Sequence, residues 1–238
     1  MKNLDRICFI LQARVGSSRL PGKVINPFAG STLVEVAIEK IKESIFPTEN
    51  LYLSARDPEL LEIADNHNIN VYLRDETSIR NDDTKPFTLP EVFDWWNKLD
   101  YDHYILMNVC NPLVQVETLN NFVEAFVKSD SRGLFSVVEH RRFFYRKDGS
   151  QFQAFYGSEE ARRTFNTKFI EPIYSGGPLR AGTMEDVGRH VYMGSFEKPN
   201  DPPLFHYDSA QYIDIDYQWE FDAAEALYSQ LFEKENKL

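Results

Sequence analysis

The chain has 238 residues, 42% of them hydrophobic, enough to build one large α/β domain or two small ones. Its 26 Lys plus Arg against 37 Asp plus Glu leave a formal charge of −11, the wrong sign for gripping a nucleic-acid backbone, so any basic groups used in binding must be local. No apolar run approaches ~20 residues and Ile7 to Leu11 is too short for a signal-peptide core, so a cytoplasmic protein that does not enter a membrane is expected. Cys8 and Cys110 lie in apolar strand-like runs and read as buried free thiols, and none of the five histidines has zinc-type spacing.

Along the chain, Arg6 to Gln12 reads as a buried first strand, followed by a loop to Gly30. Thr32 with Glu35 forms a capping box for a helix to Ser44, with Leu33, Val36, Ala37 and Ile41 at helical spacing. Asn50 to Ser54 is a second strand, a helix starts near Pro58, and Val71 to Leu73 is a third strand. Leu89 to Leu99 reads as a helix, Tyr104 to Val109 as a buried strand, Val116 to Lys128 as a helix and Leu134 to Glu139 as a strand. This alternation predicts a mostly parallel sheet covered on both faces. From Arg141 to Phe205 the rhythm breaks into aromatic and basic clusters, the turn-rich "SGGPLRAG" and a short β-like segment at His190 to Met193. No linker composition separates this stretch, so the chain reads as one domain, 1–238, with 141–205 as an elaboration, a lid or a dimer arm. Tyr212 to Ile215 returns as a strand and Gln218 to Glu233 as a last helix.

The loop after the first strand, "QARVGSSRLPGK", has the look of a phosphate-binding loop but is not a Walker loop. Five residues separate Gly16 from Gly22 where four are needed, and Val24 follows Lys23 where a metal-binding hydroxyl belongs. Pro21 also keeps Leu20 out of helical geometry. What remains is Arg14, Arg19 and Lys23 with Ser17 and Ser18 beyond the end of a first strand, where open α/β sheets place ligands. A solvated loop that happens to be basic is the alternative.

Near the other end, "IDID" places Asp214 and Asp216 two residues apart on a strand, so both side chains share one face and could share one hard cation. Mg2+ suits such a pair because it binds one or two carboxylates together with substrate phosphates. The alternative is an N-cap pair for the last helix. Trp95 and Trp96 read as helix packing and a partly exposed neighbour, Asp222 and Glu225 as the solvated face of the last helix, and Gly176-Gly177 as a turn or a mobile lid.

"QARVGSSRLPGK" resembles the N-terminal signature of the cytidylyltransferases that activate acidic sugars, the acylneuraminate and 3-deoxy-manno-octulosonate CMP-sugar synthetases, and is similar above all to their spore coat polysaccharide branch. The resemblance extends to "LRDETSIRNDDT", to "LMNVCNPLV", where Asn108 stands at a glutamine position of the sialic-acid branch, and to "IDID". It implies a single Rossmann-like nucleotidyltransferase domain of the glycosyltransferase-A type, three-layered, with an inserted arm. It further implies that Gln12, Ala13, Arg14, Ser17, Ser18, Arg19, Lys23, Arg74, Asp83 and Thr84 surround CTP, and that Asp214 and Asp216 hold Mg2+. An acidic 2-keto sugar would then meet Asn108 and arginines of the divergent segment, Arg162, Arg163 and Arg189 being named for it, with Arg141, Arg142 and Arg180 in the same segment. Arg14, Lys23 and Asp216 would carry catalysis: the anomeric hydroxyl attacks the α-phosphorus and pyrophosphate leaves. A homodimer is implied as well.

Two departures bear on the sugar. Cys110 stands where the octulosonate and spore-coat branches carry Asp, and "VGRHVYMG" stands in place of the sialic-acid branch's Asn-Gly-Ala. Two other functions stay open: a glycosyltransferase using Asp214-Ile215-Asp216 as an Asp-X-Asp motif, and a non-catalytic nucleotide-binding homologue.

Overall fold

The computed structural model describes residues 1–79, 87–152, 154 and 167–232. Strands β1 (Ile7–Gln12), β2 (Leu51–Ala55), β3 (Asn70–Leu73), β4 (His103–Met107), β5 (Leu134–His140), β6 (Ile173–Thr183) and β7 (Leu204–His206) form one sheet in the order β3-β2-β1-β4-β6-β5-β7. Pairs β1–β2, β2–β3, β1–β4 and β5–β7 are parallel, and β6 runs antiparallel to both β4 and β5.

Alternation along β1 builds the layers, because successive strand side chains point to opposite faces. Ile7, Phe9 and Leu11 join one core, with residues of α1 (Leu33–Glu43), α2 (Pro58–Asn66), α4 (Val116–Lys128) and α6 (Gln218–Phe232). Cys8 and Ile10 join the other, with Trp95, Tyr104 and Leu106 and with residues of the short helices α3 (Leu89–Val92) and α5 (Met184–Gly188). The result is the expected α/β domain, with a mostly parallel sheet between two helical layers. Thr32 caps α1 by accepting the Glu35 N–H at 3.2 Å, and both cysteines are buried and free.

Four stretches differ from the sequence expectation. The helix over Leu89 to Leu99 is helical only to Val92; the chain then turns at Phe93 and sends Trp95, fully buried, into the second core. "SGGPLRAG" is neither turn nor lid but the inner part of β6. Its glycines serve close approach: a Cβ on Gly182 would sit 2.6 Å from the Tyr104 hydroxyl, and one on Gly177 would sit 2.5 Å from Ser136 Oγ. Glycine there leaves room for aromatic and polar side chains to lie on the strand backbone. β6 and β7 thus make part of the 141–205 elaboration integral to the sheet. His190 to Met193 contributes one bridge, Tyr192 with Gly194, rather than a strand. Tyr212 to Ile215 is extended but unladdered, tied to the sheet region by the Ile215 N–H donating to the Cys110 carbonyl at 3.0 Å.

Candidate active site

Beyond β1 the chain does not enter a helix. The Val15 N–H donates to Asp57 Oδ2 at 3.2 Å, and the Gly22 N–H returns to the Val15 carbonyl at 3.1 Å, closing a loop over residues 15–22. Inside it Ser17 Oγ accepts the Leu20 N–H at 3.4 Å, while Ser18 and Arg19 stand on the exposed rim. The turn after Gly22 swings Lys23 inward, where it is buried.

Lys23 and Arg19 converge on one carboxylate. Lys23 Nζ donates to Asp216 Oδ1 at 3.1 Å and to the Ile215 carbonyl, and Arg19 Nη1 pairs with Asp216 Oδ2 at 2.5 Å. The Lys23 side chain is 10% exposed against 55% for Arg19; the inner pair is shielded from solvent and the outer one is screened. Helix α6 is capped from within, since Glu220 Oε2 accepts the N–H groups of Asp216 and Tyr217 at 2.7 and 2.9 Å. Asp216 therefore does not act as a side-chain N-cap, and its carboxylate is left to the cations.

Asp214 faces the loop that follows β4. Its Oδ1 accepts from Asn108 Nδ2 at 3.1 Å and from Asn111 Nδ2 at 3.3 Å. Burial and then the charge of Asp216 raise its pKa, while Lys23 opposes the shift. Cys110 belongs to the same cluster: burial pushes its thiol up to about 11, with the Lys23 charge acting the other way. The two aspartates flank the fully buried Ile215, Asp216 held by two cations and Asp214 by two asparagine amides. Among the described residues no three His, Cys, Asp or Glu side chains cluster as a metal cage. Mg2+ rarely takes an all-protein cage and binds one or two carboxylates with phosphate and water oxygens; Asp214 and Asp216 are carboxylates of that kind, Asp216 being shared with Lys23 and Arg19.

Arg14 lies in a neighbouring cavity of about 270 Å³ with Gln12, Ala13, Arg74 and Ser78. Arg74 is buried and donates to Ser78 Oγ at 3.2 Å and to the Ser78 carbonyl at 2.6 Å. Burial lowers its pKa; the charge of Asp94 opposes that shift and the charge of Arg14 adds to it. Gln12 and Phe87 also line a second cavity of about 430 Å³, which reaches Asn108. A third, of about 750 Å³, is lined by Asp214 and Asp216.

The structure thus gathers Gln12, Ala13, Arg14 and Arg74 at one cavity and Asn108, Asp214 and Asp216 at its neighbours, with Arg19 and Lys23 joined to them through Asp216. Arg189 is not brought there: it follows α5 and pairs with Glu185 at 3.5 Å. Asp83, Thr84, Arg162 and Arg163 lie outside the described residues. Glu225, expected on the solvated face of the last helix, instead accepts the Ala29 N–H at 2.7 Å and ties α6 to the end of the loop. Sequence reading missed Asn111, Asp57 and Glu220, whose roles depend on contacts across the fold or on a cap that Asp216 itself was read to supply. Only Asn111 gave a signal, through its place just beyond the predicted strand Tyr104 to Val109.

The Asn108 to Val114 segment rests on Lys40 of α1. Buried Lys40 Nζ donates to the carbonyls of Pro112 and Val114, the latter at 2.8 Å, and lies 4.1 Å from the Phe232 ring centroid. Burial pulls its pKa from 10.5 down to about 7, with Glu43 opposing. Between those values the unfolded chain holds a proton that the folded one lacks, so this group makes stability rise with pH across that window; below it the burial penalty is complete. In urea melts of Lys40→Met and the unaltered protein, the stability of the variant relative to the parent should fall steadily as pH rises from 7 towards 10.5. A difference that stays constant with pH contradicts this assignment.

A family model described as cytidylyltransferase matches residues 8–168. The chain is similar to the pseudaminic acid cytidylyltransferase of Campylobacter jejuni serotype O:2, 31% identical over 194 residues that cover 77% of this chain and 79% of that one. It is also similar to the spore coat polysaccharide biosynthesis protein SpsF of Bacillus subtilis, 24% identical over 222 residues covering 77% and 91%. Among solved structures, a CMP:2-keto-3-deoxy-manno-octonic acid synthetase complexed with CTP superposes with a TM-score of 0.65 at 13% identity, over 94% of this chain and 99% of that one. A 4-diphosphocytidyl-2C-methyl-D-erythritol synthase from Anaerococcus prevotii gives 0.64 at 14% identity, over 96% and 100%. At these identities the two structures speak for the fold.

Proposed function

The chain belongs to the cytidylyltransferase family, and from that premise we propose that it transfers CMP from CTP to the anomeric hydroxyl of an acidic 2-keto sugar, for surface polysaccharide synthesis. The observation that carries the reading is the meeting of Arg19 and Lys23 with Asp216 beside Asp214. Cations suited to a triphosphate stand within ion-pair distance of Asp216, one of two neighbouring carboxylates suited to a metal.

In this reading Arg14 and Arg74 face the nucleotide in their shared cavity, and Arg19 and Lys23 take the charge of the β- and γ-phosphates. The sugar hydroxyl forms the new bond to the α-phosphorus, the bond to the β-phosphate oxygen breaks, and the hydroxyl proton passes to water. Such chemistry asks for positioning and charge neutralisation rather than covalent work. A Mg2+ ion held by Asp214 and Asp216 would polarise the α-phosphate. Asn108 and Asn111 fix Asp214, and Lys23 fixes Asp216, so neither carboxylate has to be ordered on binding. The reading also carries a homodimer, with Tyr145 and Phe152 exposed on the arm that leaves β5 as its supporting feature.

The Asp-X-Asp glycosyltransferase reading gives way, because the matched family transfers a nucleotidyl group and its model spans the whole cationic loop. Phosphorus-31 spectra of CTP, Mg2+ and the substrate acid should show one pyrophosphate and one CMP phosphodiester formed per CTP consumed. Formation of CDP or orthophosphate in their place would contradict nucleotidyl transfer.

A further inference from the structure

The cavity of about 430 Å³ is walled by Phe93, Leu106, Met107 and Pro178, with Asn108 at one edge and Arg180 and Tyr192 at another. Arg180 sits on β6 opposite Leu106 of β4, and Nη1 donates to the Tyr192 hydroxyl at 2.7 Å. Its guanidinium lies 5.8 Å from the ring centroids of both Phe135 and Tyr192, so aromatic faces hold it. Among the described residues it makes no ion pair, and its Nε, shut off from solvent, has no hydrogen-bond partner. A cation kept beside a cavity without a counter-ion is suited to an incoming anion.

The other large cavity is a poor rival for an acid. Four carboxylates, Glu139, Asp214, Asp216 and Glu220, line it against Arg141, Arg142 and His140, and Arg141 is already paired with Glu139 at 2.5 Å. The Arg180 cavity is in register with the chemistry, because Asn108 lines it while donating to Asp214.

We propose, resting on the synthetase reading, that the acceptor's carboxylate binds Arg180 in this cavity. Tyr192, whose hydroxyl accepts from Arg180, gives its own proton to the same anion. The apolar walls take the rest of the sugar, so the acceptor class is an acylated, partly deoxygenated sugar acid rather than a polyhydroxylated one.

The test is a titration of the full chain, with saturating CTP and EDTA to hold turnover off, by N-acetylneuraminate, by its methyl ester and by 3-deoxy-manno-octulosonate. N-acetylneuraminate should bind more tightly than the octulosonate. Arg180→Met should weaken it by about 30- to 100-fold, the scale of hydrogen bonds to a charged group. Arg180→Lys should recover part of the loss, and the methyl ester should bind the unaltered protein as weakly as the acid binds Arg180→Met. The subsite is overturned by equal affinity of the acid for both proteins, or by no binding of either acid to the unaltered chain. A tighter octulosonate overturns the apolar-wall assignment. Because binding is read without turnover, Arg180-dependent binding in a chain that never releases pyrophosphate defeats the synthetase reading and leaves the subsite standing. Release by the unaltered protein, with acid binding indifferent to Arg180, does the reverse.

Discussion

Lys23→Met is expected to lower the rate of CMP transfer at saturating CTP and acceptor by about 10²- to 10³-fold, the usual cost of one preorganised donor aimed at developing charge. The size follows from where the loop puts the side chain. Lys23 is buried and fixed at two points, the Ile215 carbonyl and Asp216 Oδ1, so its charge is in place before the substrate arrives. Methionine fills most of the same volume and keeps the apolar stem packed, leaving the loss of charge as the main change. Arg19 remains on Asp216 from the solvent side, but its 55% exposure screens it and it cannot replace the inner cation. A folded Lys23→Met protein that turns over at the parent rate would remove Lys23 from the chemistry.

Asp216→Asn is expected to raise the Mg2+ concentration for half-maximal activity at least about tenfold, since loss of partners merely behind a metal ligand already costs 10- to 100-fold. Two further effects distinguish this from general damage. Lys23 and Arg19 both lose the anion they hold, and Asp214 loses the neighbouring charge that helps to raise its pKa, so that pKa falls. The α6 cap survives, because Glu220 binds the backbone of residue 216 and not its side chain. An unaltered metal titration in Asp216→Asn would count against the paired-carboxylate site.

The parallel half of the fold was legible because β1, β2 and β4 are buried on both faces and read as apolar runs between capped helices. β6 was not, because its glycines signal turns locally, whereas in the fold they accept Tyr104 and Ser136 against the strand. The break after Val92 is equally invisible to periodicity: what ends α3 is the pull of Trp95 into the second core, a tertiary event.

In the site, the cationic loop and the aspartate pair could be read from charge and spacing, and Lys23 does meet Asp216 across 193 residues. That the meeting is a direct ion pair was not readable, since it depends on the turn at Gly22 and on Ile215 docking to Cys110. Arg180 was one of seven arginines in an irregular segment. It stands apart only once β6 places it beside Tyr192 and away from every carboxylate that pairs with Arg132, Arg141 or Arg189.

The measurement closest to the central claim is pyrophosphate release from CTP with Mg2+ against a panel of 2-keto sugar acids, repeated with ATP, GTP and UTP. Release should require both CTP and an acid, with the other nucleotides inert. Release from CTP at the same rate without any acid, or equal release from ATP, would contradict it.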